Sequence, residues 1–174
     1  MIRGYKGIRP TLGARAFVDV SAQVIGDVTL GEDASVWMNS VVRGDVNRIR
    51  LGARTNVQDN CVLHVTSAHA TELAEDVTVG HSVTLHGCTV ERLCLIAIGA
   101  TVLNGAVIGE ESIVAAGSLV PEGMRVPPRS LVMGVPAKVR RPVTEEERAS
   151  LVRYAERYVG HKETYRAEAG QEAS

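Results

Sequence analysis

The stretch from Val90 to Val120, VERLCLIAIGATVLNGAVIGEESIVAAGSLV, places an aliphatic residue at every sixth position: Val90, Ile96, Val102, Ile108, Val114 and Val120. Counted from Leu12, the same step gives Leu12, Val18, Val24, Leu30, Val36 and Val42. Between these runs, Leu51, Val57, Leu63 and then Leu73, Val79, Leu85 keep the phase, with lengthened steps of nine (42 to 51) and ten (63 to 73) and a shortened step of five (85 to 90). Four residues after most of these rungs stands a small or modest side chain, as at Ala16, Ala22, Ala34, Ser40, Thr55, Cys61, Cys94, Ala100, Ala106, Ser112 and Ser118. Neither the 3.6-residue period of an amphipathic helix nor strict alternation fits this pattern as well. A repeat of six with large and small inward positions specifies a parallel β-helix, in which three short walls and three corners close each triangular coil. The eighteen rungs make six coils, and stacking at the strand spacing of about 4.8 Å gives a rigid prism roughly 30 Å long.

Beyond Val120 the expected reading changes. PEGMRVPPRSLVMGVPAK (121–138) is punctuated by Pro and Gly and reads as a terminal loop. Thr144 followed by Glu147 forms a Thr-x-x-Glu capping box, so a helix should start there, with Leu151, Tyr154, Ala155, Tyr158 and Val159 at helical spacing on one face. The organisation expected is a β-helix over residues 1–142 including its terminal loop, a C-terminal helix over 143–168 packed on it, and a flexible tail over 169–174.

Composition narrows the function classes. Of 174 residues, 45% are hydrophobic and 22% charged, with a formal net charge of -1, which is a soluble globular balance. Nothing in that charge favours nucleic acid or anionic lipid as a partner. No run approaches the length of a membrane span, and MIRGYKGIRP lacks the apolar core of a signal peptide. Only six aromatic residues of the Phe, Trp and Tyr types are present against 26 Val, so the core is aliphatic. Three cysteines, Cys61, Cys88 and Cys94, lie within apolar runs, and a reducing cytoplasm is the simplest setting for them. Cys61 and Cys94 occupy small inward positions; Cys88, near His86, leaves a ligand or redox role open.

The repeat sorts the five histidines. His64 follows Leu63 and His86 follows Leu85, both third rungs, so they stack in one column on adjacent coils with backbones about 5 Å apart. Arg43, after Val42, continues that column downward. His81 follows the second rung Val79 by two residues and stands above Asp59, which bears the same relation to Val57; this is a second column, one wall away. An extended chain of five residues spans up to about 17 Å, whereas a histidine nitrogen sits about 2 Å from its metal. A single subunit therefore closes all three imidazoles on one ion only with difficulty. Packing around a threefold axis lets His64 and His86 of one copy meet His81 of the next, which predicts a homotrimer with three interfacial metal sites. Three imidazoles and an open position make a catalytic zinc site.

The order of Arg43-Gly44-Asp45, Gly52 through Asn60 (GARTNVQDN), Leu63-His64-Val65, Val79-Gly80-His81 and Leu85-His86-Gly87-Cys88-Thr89 resembles the γ-class carbonic anhydrases, over residues 8 to 160 or so. That resemblance implies a left-handed parallel β-helix, against the usual right-handed crossover. It implies that His64, His81 and His86 bind Zn2+, or Fe2+ or Co2+, with one ligand donated across a trimer interface, and that metal-bound hydroxide converts carbon dioxide to bicarbonate. Gln58 and Asp59 match family residues that position hydroxide and substrate; Gln58, read as lying beside the first histidine column, offers both a donor and an acceptor. Arg43 and Asp45 match an ionic pair near the site and across the interface, acting in catalysis or as a trimer clamp. Asn47 and Arg48 extend the same segment toward solvent.

The chain also departs from the pattern. Active members of the family carry an acidic loop with a proton-shuttling glutamate between the first two histidines, and here only sixteen residues separate His64 from His81. Glu72, Glu75 and Asp76 fall on a regular wall next to Leu73 and Val77, and Val46 stands where some members have a glutamate. Proton removal then depends on His69, a tyrosine of the C-terminal helix, or buffer, and turnover is expected to be low. Three further readings stand beside carbon dioxide hydration: thioester or ester hydrolysis at the same metal, since relatives are implicated in acyl-CoA metabolism; a catalytically weak metal-binding or assembly protein; and a hexapeptide acyltransferase, whose terminal Gly-x-Pro-Ala-Lys resembles Gly134–Lys138.

Overall fold

A computed structural model describes residues 1–172. The rungs stack as the repeat requires, in parallel and in register. One wall pairs Leu12, Leu30, Leu51, Leu73, Val90, Ile108 and Val126 in succession. The second pairs Val18, Val36, Val57, Val79, Ile96, Val114 and Val132. The third pairs Val24, Val42, Leu63, Leu85, Val102 and Val120. Every rung above the bottom coil is buried, with Leu63, Leu85, Ile96 and Ile108 at 0% exposure, and the small residues four positions on complete the interior. Exposed Leu12 (40%) and half-buried Val18 belong to the bottom coil, which nothing covers from below.

Corners are made by left-handed backbone three residues after a rung, at Arg15, Asp33, Arg54, Asp76, Glu111 and Arg129 after the first wall and at Asn39, Asn60 and Ser82 after the second. Such conformations are uncommon for residues other than glycine. Here many of the side chains form a ladder of ion pairs up the edge: Arg15 with Asp33, Arg54 with Asp76, and Arg129 with Glu111.

The segment after Val120 is not a loop. Arg125–Val126 and Ser130–Gly134 add rungs in the same six-residue phase, so the prism has seven turns rather than six, and Ala137–Pro142 folds back antiparallel on Ser130–Gly134. The prolines occur where no further coil needs a donor. Leu103 and Gly109 donate their N–H to Val120 and Val126 of the coil above; Pro121 and Pro127 hold the equivalent positions one coil later, at the end of their walls. Removing the donor there blunts an open sheet edge.

The C-terminal helix runs from Glu145 to Glu172 and so takes in 169–172, which the sequence reading assigns to the tail; 173 and 174 lie outside the described residues. Its capping box forms, with Thr144 Oγ1 accepting from the Glu147 N–H at 3.2 Å and Glu147 Oε2 accepting from the Thr144 N–H at 2.9 Å. The helix lies along the second wall of its own subunit. Leu151 and Ala155 are buried and Tyr158 half-buried, whereas Tyr154, expected on the same face, sits at its edge. Ion pairs anchor it at both ends: Arg148 holds buried Glu111 through two hydrogen bonds of 2.8 Å, and fully buried Lys162 reaches Asp33 at 2.8 Å. On either side of Lys162, Tyr158 and Tyr165 pack edge-on to Trp37 at 5.3 and 5.2 Å.

These anchors give the docked helix an acid limit. Arg15, and then Lys162, hold the Asp33 carboxyl down at about 2, and Arg141 holds Glu147 at about 2; Arg148 and Arg129 keep Glu111 below its ordinary range. Carboxyls depressed in the folded state contribute stability that is complete above their unfolded values and is lost as pH falls toward the folded ones. Fluorescence of Trp37, the single tryptophan, should therefore report release of the helix in the window from about 4.5 down to about 2. A transition centred above pH 5 would show that other groups hold the helix.

Candidate metal centre

The third wall brings His64 and His86 together as register partners, with ring centroids 5.1 Å apart and His64 Nδ1 3.0 Å from His86 Nε2. Both are half-buried and point outward from the prism, because their neighbours Leu63 and Leu85 point in. A polar chain runs through them along the wall. Arg43 pairs with Asp45, and Asp45 Oδ1 meets His64 Nε2 at 2.9 Å. On the other side, His86 Nδ1 meets Asn104 Oδ1 at 2.7 Å, and Asn104 donates from Nδ2 to Glu122 at 2.6 Å. Burial pushes the Asp45 carboxyl up, but the hydrogen bonds from His64 and Arg43 outweigh it and leave the group below its ordinary range.

His81 is on the second wall, and its Nδ1 lies 2.9 Å from Asp59 Oδ2 on the coil below. Gln58 shares that wall; it does not lie beside His64 and His86. The residue follows the second-wall rung Val57 directly, which sends its side chain under the C-terminal helix. There Gln58 is 6% exposed and donates from Nε2 to Asn56 Oδ1 at 3.2 Å, while Asn56 donates to Thr78 Oγ1 at 3.0 Å. Gln58 also borders a pocket of about 220 Å³ with Gly80, Leu95, Ala97, Ile98 and Tyr154. The site residues thus fall into two half-sites: Arg43, Asp45, His64 and His86 on the third wall, and Gln58, Asp59 and His81 on the second. No three His, Cys, Asp or Glu side chains converge as a metal-binding group among the described residues.

The donors nevertheless suit a metal. Asn104 offers its carbonyl to His86 Nδ1 and Asp59 its carboxylate to His81 Nδ1, which leaves Nε2 of both for a metal; Asp45 holds His64 at Nε2, which leaves its Nδ1, the atom that faces His86 Nε2. Outer partners of this kind fix the tautomer of a ligating histidine. The cysteines are no rivals, since all three are free and buried in the core, and burial pushes the Cys61 thiol up to about 11 and those of Cys88 and Cys94 up to about 12.

Asn104 and Glu122 escaped the sequence reading. Both stand two residues after a third-wall rung, above His86, and that register was the available signal. Asn47 and Arg48 also do more than face solvent. Asn47 Nδ2 donates to the carbonyls of Thr66 and Ser67 at 3.1 and 3.3 Å, tying down the insertion after His64, and Arg48 pairs with Glu72 at 2.8 Å. Glu72 lies on a regular strand, Thr71–Leu73, as expected, whereas Glu75 and Asp76 fall not on the wall but in the corner after it.

No protein-family model matches the chain. It is 41% identical over 167 residues to a carbonic anhydrase of Geobacillus kaustophilus, covering 96% of this chain and 92% of that one. It is 42% identical over 165 residues, 91% of this chain, to mitochondrial γ carbonic anhydrase 1 of Arabidopsis thaliana. The chain belongs to the γ carbonic anhydrase family. It spans 60% of the length of the Arabidopsis member. Its fold is also that of a Bacillus cereus crystal structure described provisionally as an acetyltransferase, with a TM-score of 0.94 and 42% identity over 96% of this chain and 97% of that one. Membership of the γ family and the β-helix agree, and no described helix is long and apolar enough to cross a membrane.

Proposed function

We propose that this γ-family protein reversibly hydrates carbon dioxide to bicarbonate at divalent-metal sites shared between neighbouring copies of a homotrimer. The observation that supports this best is the division of one histidine set between two walls, with His64 and His86 on one face and His81 with its Asp59 partner on another. His64 and His86 of one copy and His81 of the next would hold the ion, with Zn2+ as the expected metal and Fe2+ or Co2+ compatible with three imidazoles. When bound, the ion supplies the Lewis acidity that makes water a nucleophile near neutral pH, the property for which carbonic anhydrases are the standard example.

The protein's own groups orient the reactants. Asp59 fixes the tautomer of His81, and Asn104 that of His86. Gln58, whose Nε2 is held by Asn56, keeps its carbonyl and a second N–H for substrate, next to the pocket formed by Gly80, Leu95, Ala97 and Ile98. Small apolar walls suit carbon dioxide, and two polar positions suffice to orient it. Arg43 and Asp45 brace His64 from the other side. The free, buried thiols support a reducing, cytoplasmic setting.

Stopped-flow hydration on protein of counted metal content, loaded separately with Zn2+ and, under anaerobic conditions, with Fe2+, tests the reading. The expected result is a metal-dependent rate that rises with buffer concentration, because the acidic shuttle loop is missing. No rate above buffer at full occupancy would instead favour thioester hydrolysis or a binding role. Acyl transfer, the activity in the description of the Bacillus cereus neighbour, predicts acetyl-CoA binding that survives chelation.

A further inference from the structure

The Asp59 that holds His81 also faces away from the third wall, into a cavity of about 240 Å³ lined by Trp37, Met38, Asp59, Tyr158, His161 and Tyr165. One lining residue of this space, Asp59, is therefore a direct partner of a proposed metal ligand. Another is His161, exposed on the C-terminal helix and edge-on to Tyr158 with ring centroids 5.6 Å apart. The titratable groups facing the cavity are Asp59 from the second wall and Tyr158, His161 and Tyr165 from the helix; Arg157 is adjacent on the helix, and neighbouring Lys162 is turned away toward Asp33. Burial, and then the negative charge of Asp59, push the Tyr158 phenol up, so it holds its proton and serves neither as an acid nor as a base. Histidine is the one side chain there whose ordinary titration lies between pH 5 and 8.

We propose that His161 is the proton-transfer residue of this protein, taking over from the absent acidic loop by receiving the proton released at the metal site and passing it to buffer. In each turnover, the lone pair of the neutral His161 imidazole would accept the one proton that hydration releases, relayed by solvent through the cavity that His161 shares with Asp59. The imidazolium then gives that proton to a buffer base and returns to its starting state. Tyr158 and Tyr165 border the path, and Trp37 and Met38 wall it. This rests on the carbon dioxide hydration reading, and the test separates the two.

His161→Ala, at an exposed helical position where alanine is the best helix former, should leave metal content and trimer mass unaltered. At low buffer, kcat should fall by about a hundredfold, the lower end of what a positioned proton acceptor contributes. The ratio kcat/KM, which reports carbon dioxide conversion rather than proton export, should hold, and imidazole buffer should restore kcat. Independently of turnover, the His161 ring resonance should change when the wild type is loaded with metal, because its cavity is shared with the Asp59 that holds His81. If the wild type hydrates carbon dioxide but the variant keeps its kcat, or loses kcat and kcat/KM together without rescue, His161 is not the relay. A His161 resonance indifferent to metal loading is equally contrary. A wild type with full metal and no hydration removes the hydration reading and this inference with it.

Discussion

His81→Ala should strip the metal from the assembled protein and abolish carbon dioxide hydration. The substitution removes one of three proposed ligands, and loss of an outer hydrogen-bond partner alone commonly costs about 10- to 100-fold in metal affinity; removal of a ligand should exceed that. Folding should be spared, since the His81 side chain is 45% exposed and its partner Asp59 stays solvated. Asp59→Asn should sit between the variant and wild type, because the amide still accepts from His81 Nδ1 but without charge. Metal analysis of the purified assembly checks both. Full occupancy in His81→Ala would mean that His64 and His86 find their third donor elsewhere.

The second large effect concerns the phase of the repeat next to that site. Leu63 is 0% exposed and Val62, its neighbour, 42%. Leu63→Ala should destabilise the protein by about 2–5 kcal/mol, through lost transfer energy and the cavity left between stacked coils, whereas Val62→Ala should stay within about 0.5 kcal/mol of wild type. Denaturant unfolding of the two variants measures the difference. In a strand, a slip of one residue would exchange every inward and outward side chain. The reverse ranking would put His64 inside the prism and dismantle the metal centre, so this comparison also tests whether His64 and His86 are free to face a neighbouring subunit.

Much of this was legible because a β-helix converts sequence position directly into height and wall. Once Leu63 and Leu85 were recognised as equivalent rungs, His64 had to meet His86, and Val57 with Val79 placed Asp59 beneath His81. Where the reading failed, a local rule competed with the register. Pro121, Pro127 and Pro128 read as loop, yet Val126 and Val132 kept the six-residue phase, and the last coil tolerates proline because no later coil needs the N–H. Gln58, six residues before His64, reads as a neighbour of the first histidine column, although its place after Val57 assigns it to the second wall. Lys162 gave no signal at all: a fully buried lysine is expected only with its anion, and Asp33 lies at a distant corner that just the folded helix reaches. The left-handed corners carry a partial signal in Asp33, Asn39, Asn60 and Asp76, residue types that tolerate that conformation, whereas Arg15 and Arg54 carry none and are explained only by their cross-coil pairs with Asp33 and Asp76.

The central claim, a metal centre built by two copies of the chain, is tested most directly by complementation. His81→Ala and His86→Ala chains, each carrying a different affinity tag, would be co-expressed and the mixed assemblies isolated through both tags. In a threefold ring, every mixed trimer contains one junction at which an intact His64–His86 pair faces an intact His81, so about one site in three should regain metal and hydration activity. Each variant purified alone should have neither. Mixed trimers as metal-free as their parents would contradict the shared site.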